Sequence, residues 1–167
     1  MAHRATLLAT GASAVLALSW PSNSTNIRLV YNPTTSAPRG WYVIERQREL
    51  RVNDYVLAHL PIDAAVLAND RHYLPTSVPI LKRIGAVGHQ VVCTLDGNIL
   101  IDNRVVARAL VHDGAGRKLD AWKACRALAV DEIFLLSEAK PASFDSRYFG
   151  PILRANVIGN ARPLWTW

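Results

Sequence analysis

The chain has 167 residues, and the first of three stretches that could do chemistry surrounds Ser36. Ser36 lies at the centre of residues 31–42, where Pro33, Pro38 and Gly40 break any regular element. Prolines reduce the freedom of the unfolded loop and pre-shape its backbone. A serine hydroxyl becomes nucleophilic when an adjacent base takes its proton. Ser36 is therefore a candidate nucleophile; the alternative is a solvated turn residue.

The second stretch, residues 78–84, has the pattern of an apolar strand that contains Lys82. Side chains alternate along a strand, so Ile80, Lys82 and Ile84 are expected on one face. Burial disfavours a charged ammonium and lowers its pKa. About 3–4 kcal/mol of differential destabilisation brings a lysine pKa near 7–8, where the neutral amine is a competent base. The alternative is an edge-strand lysine that reaches water.

The third stretch, residues 143–150, reads Ser-Phe-Asp-Ser-Arg-Tyr-Phe-Gly. Asp145 and Arg147 alternate to one side and can form an ion pair, while the Ser143 hydroxyl can orient a neighbouring lysine amine. The alternative interpretation is a polar turn closed by two aromatic side chains.

Short β-branched and aromatic runs separated by turn residues predict a mainly β fold with one or two short helices. The candidate strands are residues 27–31, 41–45, 54–60, 79–87, 90–94, 99–102 and 132–136. Asp96-Gly97-Asn98 is typical of a hairpin turn between two of them. Residues 62–72 form the clearer helix candidate and residues 120–128 a weaker one.

The amino-terminal residues 5–20 carry no charged side chain and follow His3 and Arg4. As a helix they would span about 24 Å, slightly short of a hydrocarbon core of roughly 30 Å. We expect residues 1–20 to be a membrane anchor, residues 21–26 a linker, and residues 27–167 an exported domain. A cleavable signal peptide and a buried core helix are the alternatives.

Composition narrows the function classes. The chain is 50% hydrophobic and 19% charged, with a net charge of +6, which excludes intrinsic disorder and suits a polyanionic partner. An apolar start without an aromatic and basic cluster favours anionic lipid over nucleic acid.

Two cysteines cannot form a four-ligand zinc site. Export favours a disulfide between Cys93 and Cys125, worth about 3–4 kcal/mol; the alternative is two buried thiols.

The order of the three stretches, behind an apolar amino terminus, resembles the type I signal peptidase family. Lys82 lies 46 positions after Ser36 and is followed directly by Arg83, and the third stretch comes last. The resemblance extends from Asn32 to Pro151. Within the family the chain is most similar to TraF-type conjugative transfer peptidases, on residues 38–42 (Pro-Arg-Gly-Trp-Tyr) and on a segment leading from His112 to Cys125.

The resemblance implies that Ser36 is the acylating nucleophile and Lys82 its general base. It also implies that Thr34 and the backbone N–H of Ser36 stabilise the oxyanion, with donors of about 3–4 kcal/mol each. Arg83, the second residue of the family's Lys-Arg pair, is interpreted as structural.

The third stretch has a supporting role by the same resemblance. Ser143 would orient the Lys82 amine, while Asp145 and Arg147 would hold the loop that carries it. No cofactor or metal is expected.

The chain departs from the general family pattern at three places. Ala37 replaces the Met that usually follows the nucleophile, and residues 87–90 read Val-Gly-His-Gln where Pro-Gly-Asp is usual. Residues 137–140 read Ser-Glu-Ala-Lys where Gly-Asp-Asn-Arg is usual. An upstream Asp102-Asn103-Arg104 run is interpreted as a hairpin turn. These departures favour a specialised relative over ordinary signal-peptide processing.

The resemblance therefore implies a signal-peptidase-like β domain on the periplasmic side of a bacterial inner membrane. Its substrate would be an exported precursor, pilin-like or bearing a signal peptide, cut after small residues. The acyl acceptor, water or an amine, stays open. The alternatives are a non-catalytic exported adaptor of a secretion or conjugation system, and a Ser–His–Asp triad built from scattered histidines at positions 59, 72, 89 and 112.

Overall fold

The computed structural model describes residues 28–137 and 140–167, and antiparallel strands dominate this part of the chain. The strands are β1 (Arg28–Asn32), β2 (Gly40–Glu45), β3 (Tyr55–Ala58), β4 (Ile80–Val87), β5 (Val91–Leu95), β6 (Asn98–Ile101), β7 (Arg104–Arg108), β8 (Cys125–Ala127), β9 (Glu132–Leu136), β10 (Ile152–Leu153) and β11 (Val157–Thr166). The larger sheet has seven strands in the order β1-β2-β11-β3-β4-β9-β10. The smaller sheet has four, in the order β7-β6-β5-β8. The predicted mainly β fold is confirmed.

Two tight turns and a covalent bond hold the smaller sheet together. Asp96 and Gly97 join β5 to β6, and Asp102 and Asn103 join β6 to β7, all with positive φ. Positive φ at both central residues is the geometry that matches the twist of a hairpin. A disulfide joins Cys93 to Cys125, which are direct cross-strand neighbours on β5 and β8.

The helices are short. α1 spans Ile62–Asp70 and α2 spans Ser146–Phe149, and a 3₁₀ turn covers Arg154–Asn156. The buried side of α1 consists of Ala64, Ala65 and Ala68. α2 begins at an N-cap, Asp145, whose carboxylate accepts a hydrogen bond from the backbone N–H of Arg147.

Strand β4 lies in the interior of the larger sheet and is buried on both faces. Ile80 and Ile84 belong to one hydrophobic cluster. Leu81 belongs to another, on the opposite face, together with Ile44 and Leu57. Lys82 points to the same face as Ile80 and Ile84, so its ammonium must enter the interior of the domain.

The seven predicted strands match β1 to β6 and β9 to within two residues at each end, and the helix at 62–72 matches α1. The helix predicted at 120–128 is wrong, because residues 125–127 instead form β8 and pair with β5. Four strands, β7, β8, β10 and β11, and the helix α2 were not predicted from the sequence. β11 was not predicted because Gly159 and Pro163 interrupt its pattern; its pairing register shifts beside both residues.

The predicted anchor at residues 1–20 and linker at residues 21–26 lie outside the described residues. In the part of the chain that the structure describes, no helix is long and apolar enough to cross a membrane.

Candidate active site

The loop between β1 and β2 carries Ser36, and the buried Asn32 side chain organises it. Asn32 Nδ2 donates to the backbone oxygens of Thr34, Ala37 and Pro38, at 3.0, 3.1 and 3.0 Å. Asn32 Oδ1 accepts from Thr34 N at 3.1 Å. One amide thus satisfies four backbone groups that the loop cannot pair in a ladder.

The far end of the same loop is fastened to β2 and β11. The buried Tyr42 hydroxyl donates to Pro38 O at 2.7 Å, and burial raises its pKa to about 12. Gly40 has a φ of +138°, and a Cβ there would lie 2.0 Å from Trp165 O. Only glycine suits this close approach between strands.

Lys82 extends from β4 into the interior and is 5% exposed. Its Nζ donates to Ser143 Oγ at 2.5 Å. Burial lowers the pKa of Lys82 from 10.5 to about 8, because the charged ammonium loses its hydration. The Arg147 and Lys140 cations lower it further, and Asp145 opposes them.

The Asp145–Arg147 ion pair organises the segment that carries Ser143. Arg147 Nε and Nη2 donate to the two Asp145 carboxylate oxygens, each at 2.8 Å. The same guanidinium donates to Pro141 O at 2.8 Å and Ser143 O at 3.1 Å. A planar fork with five donors suits this set of fixed acceptors.

Ser137 connects this ion pair to the loop that carries Ser36. The Ser137 hydroxyl donates to Ser36 O at 2.7 Å, and Ser137 N donates to Asp145 Oδ2 at 3.0 Å. Asp145 therefore holds a residue that contacts the Ser36 backbone, while its partner Arg147 holds the backbone of Ser143, the partner of Lys82.

Four of the predicted site residues line one cavity of about 320 Å³. Ser36, Lys82, Thr34 and Ser143 all line it. Ser36 Oγ lies 3.0 Å from Thr34 Oγ1, and among the described residues no hydrogen bond joins Ser36 Oγ to Lys82 Nζ. A second cavity of about 660 Å³ reaches Ser36 and contacts Trp167.

Asp145 and Arg147 line neither of these cavities, so they support the site from behind it. Among the described histidines only His112 lines one of the two, and none hydrogen-bonds Ser36. Asn32 and Ser137 were missed by the sequence interpretation. An asparagine directly before a proline is a recognisable turn signal, whereas nothing local to Ser137 indicates its contact with Ser36.

Residues 3–167 match the sequence model of the family described as signal peptidase, peptidase S26. The chain belongs to this family. This confirms the resemblance inferred from the order of Ser36, Lys82 and the third stretch. Membership in this peptidase family implies that the substrate is a precursor protein.

Two relatives extend the comparison over nearly the whole chain. The plasmid transfer protein TraF of Escherichia coli is 28% identical over 98% of this chain and 90% of that protein. The conjugal transfer protein TraF of Agrobacterium tumefaciens is 32% identical over 99% of this chain and 97% of that protein. A crystal structure of signal peptidase I from Enterococcus faecalis aligns with a TM-score of 0.43 at 17% identity, covering 68% of this chain and 97% of that one.

Lys82→Met should stabilise this signal peptidase family member at pH 7. The folded-state pKa of about 8 lies below the ordinary 10.5, so below pH 8 the folded protein holds a buried ammonium. Removing it should raise the free energy of unfolding by about 1–3 kcal/mol. Between pH 8 and 10.5 the unfolded state binds more protons, so the wild type gains stability and the difference shrinks.

Urea denaturation of both proteins at pH 7 and pH 10 measures this difference. The exposed Lys123, replaced by Met, is the matched control and should change stability little at either pH. A Lys82→Met protein less stable than wild type at pH 7 would contradict the account of a buried, destabilising charge.

Proposed function

We propose that this protein is a membrane-bound serine endopeptidase that processes exported precursors with a Ser36–Lys82 dyad. The observation that carries the proposal is a buried lysine with a pKa of about 8 lining the same cavity as Ser36. Membership in the peptidase S26 family gives the reaction class. The TraF relatives, named for plasmid and conjugal transfer, support a conjugative pilin precursor as the substrate.

In the acylation step, Ser36 Oγ attacks the carbonyl carbon of the scissile bond and its proton passes to the neutral Lys82 amine. The C–N bond then breaks as the Lys82 ammonium returns that proton to the leaving amine. The products are an ester on Ser36 and a free amino terminus. A neutral amine at pH 7–8 is what this exchange requires, since an ammonium cannot accept a proton.

In the deacylation step, an acceptor attacks the ester and Lys82 takes its proton. The C–O bond breaks, and the proton returns to Ser36 Oγ. Water as acceptor gives hydrolysis, and the amino terminus of the same substrate chain gives a ring. The same dyad serves both outcomes, so substrate geometry selects between them.

Thr34 and the Ser36 backbone N–H are proposed to stabilise the oxyanion formed in both steps. Thr34 Oγ1 lies 2.9 Å from Asn32 Oδ1 and 3.0 Å from Ser36 Oγ. To donate to the developing negative charge, the single Thr34 O–H would have to release Asn32 Oδ1. Donors aimed at that charge are worth about 3–4 kcal/mol each.

The substrate is proposed to bind as an extended strand. Among the described strands, β1 lies at the edge of the larger sheet, and it runs directly into the loop that carries Ser36. An exposed strand edge offers unpaired backbone groups that an extended peptide can pair with. Such pairing would deliver the scissile bond to Ser36.

An exposed aromatic surface near Ser36 supports a position against the membrane. Trp165 and Trp167 are 71% and 64% exposed, and Tyr31 packs between Trp41 and Trp167 at ring distances of 5.2 and 6.2 Å. Aromatic side chains suit the interface, and a net charge of +6 suits anionic headgroups. We therefore propose that residues 1–20 anchor the protein in the membrane, that residues 21–26 are a linker, and that residues 27–167 form a peptidase domain on the periplasmic side.

Processing of a candidate pilin precursor tests the dyad. On co-expression, wild type should shorten the precursor, while Ser36→Ala and Lys82→Met should lower processing by at least about 1,000-fold because the nucleophile or the base is lost. Lys82→Arg is the more specific variant, because arginine keeps the positive charge but cannot become neutral. It should lose processing as Lys82→Met does. The mass of the precursor measures the outcome.

Processing that continues in either Ser36→Ala or Lys82→Met would contradict the dyad. If both variants still supported conjugative transfer, the result would favour the alternative, a non-catalytic exported adaptor.

The membrane position is tested in the full chain reconstituted into anionic vesicles that contain brominated lipid. Bromine quenches tryptophan fluorescence only at close range. In a Trp20→Phe background, which removes the tryptophan of the proposed anchor, we therefore expect Trp165→Phe with Trp167→Phe to remove most of the quenchable signal. Trp122→Phe is the matched control, because Trp122 packs against Phe134 in the smaller-sheet cluster. Equal losses in the two variants would contradict the proposed orientation.

A further inference from the structure

The second cavity reaches Ser36 from the other face of the larger sheet. Lys82 lines the first cavity, and its neighbour on β4, Arg83, lines the second. Successive side chains of a strand point to opposite faces of a sheet, so the two cavities lie on opposite sides of β4. A substrate chain that crosses Ser36 can therefore extend from one cavity into the other.

Side chains from several parts of the fold meet in this second cavity, which is called the arginine cavity below. Its lining includes the cross-strand neighbours Tyr55, Arg83 and Leu136 of β3, β4 and β9. Arg39 enters it from the loop between β1 and β2, and Trp167 lines it just beyond the end of β11. The arginine cavity thus places cationic and hydroxyl donors beside the proposed nucleophile.

The backbone around Arg39 is fixed, although its side chain is exposed. Pro38 O accepts two hydrogen bonds, at 3.0 and 2.7 Å. Arg39 O accepts from Trp167 N at 3.0 Å, and the next residue is Gly40, which lies closely against β11. The Arg39 side chain therefore starts from a fixed point only three residues after the proposed nucleophile.

Two donors of the arginine cavity have no acceptor among the described residues. The Arg39 guanidinium makes no hydrogen bond or ion pair with them, and the Tyr55 hydroxyl makes no hydrogen bond with them. Arg126, which is also exposed, instead donates two hydrogen bonds to Glu132, at 2.6 and 2.8 Å. A guanidinium matches a carboxylate with two parallel hydrogen bonds, and a hydroxyl can donate a third.

We propose that the arginine cavity binds a carboxylate of the substrate, and that Arg39 determines this preference. The inference rests on the proposed function, because the substrate must reach Ser36. The carboxylate belongs to an acidic side chain close to the cut or to the carboxyl terminus of the substrate, and both present the same planar anion. A lipid phosphate fits less well, since a membrane lipid held in this cavity would block access to Ser36.

Cleavage-site profiling tests the inference, with the full chain in non-ionic detergent, a proteome-derived peptide library, and mass spectrometry to identify the cut bonds. Wild type should enrich aspartate and glutamate at one position near the cut, or should cut at one fixed distance from the carboxyl terminus. The first pattern assigns the carboxylate to a side chain and the second to a chain terminus, and either supports the inference.

Matched peptide pairs then measure the role of Arg39. The two peptides of a pair differ in one carboxylate: glutamate against glutamine, or a free against an amidated carboxyl terminus. Arg39→Glu should lower the ratio of kcat/KM for the anionic peptide over its neutral counterpart by at least about 10-fold, because a like charge then faces the ligand. A lysine placed at the position of the glutamate should become favoured over glutamine, a reversal that damage to the fold would not produce.

Arg104→Glu is the matched control. It makes the same change of charge at an exposed residue of β7 that lines neither cavity, so the wild-type ratio should persist.

A library profile with neither pattern, or an unchanged ratio in Arg39→Glu, would overturn the inference while the dyad stands. An unchanged ratio together with weaker binding of Arg39→Glu to anionic vesicles would assign Arg39 to a lipid phosphate instead. A wild type that cuts no peptide, or cleavage that persists in Ser36→Ala, would overturn the proposed function itself, and the inference with it.

Discussion

Asp145 and Arg147 form an ion pair inside the domain, with side chains 0% and 1% exposed. Removing one partner of such a pair leaves an uncompensated buried charge, which typically costs about 3–5 kcal/mol. Asp145 accepts from the backbone of Ser137, whose hydroxyl holds Ser36 O, and Arg147 holds Ser143 O. The pair thereby sets the separation between the loop of the proposed nucleophile and the partner of the proposed base, without lining either cavity.

The surroundings of Lys82 follow from the same arrangement. Its strand is buried on both faces, so the amine has left water and has Ser143 Oγ as its hydrogen-bond partner. Burial is the main cause of the lowered Lys82 pKa; the Asp145 carboxylate raises that pKa, and the Arg147 cation lowers it. Near pH 8 the neutral and charged forms of Lys82 are therefore about equally populated. The neutral fraction is the form that the proposed mechanism needs as a base.

The features of this fold that could be predicted from sequence are those that depend on neighbours along the chain. The alternation around Lys82 predicted its burial, and Asp96-Gly97 predicted a hairpin, because both depend on neighbours along the chain. The contact between Ser137 and Ser36 joins residues 101 positions apart, and no local pattern encodes it. Residues 125–127 look helical in isolation, but pairing with β5 decides their conformation.

The pH dependence of kcat/KM for precursor cleavage tests the central claim, a neutral Lys82 acting on Ser36, most directly. If Lys82 is the base, its protonation below pH 8 should lower kcat/KM about tenfold per pH unit, with the inflection near 8. A profile that stays flat from pH 6 to about 9, or an inflection near the 10.5 of an ordinary lysine, would contradict the account.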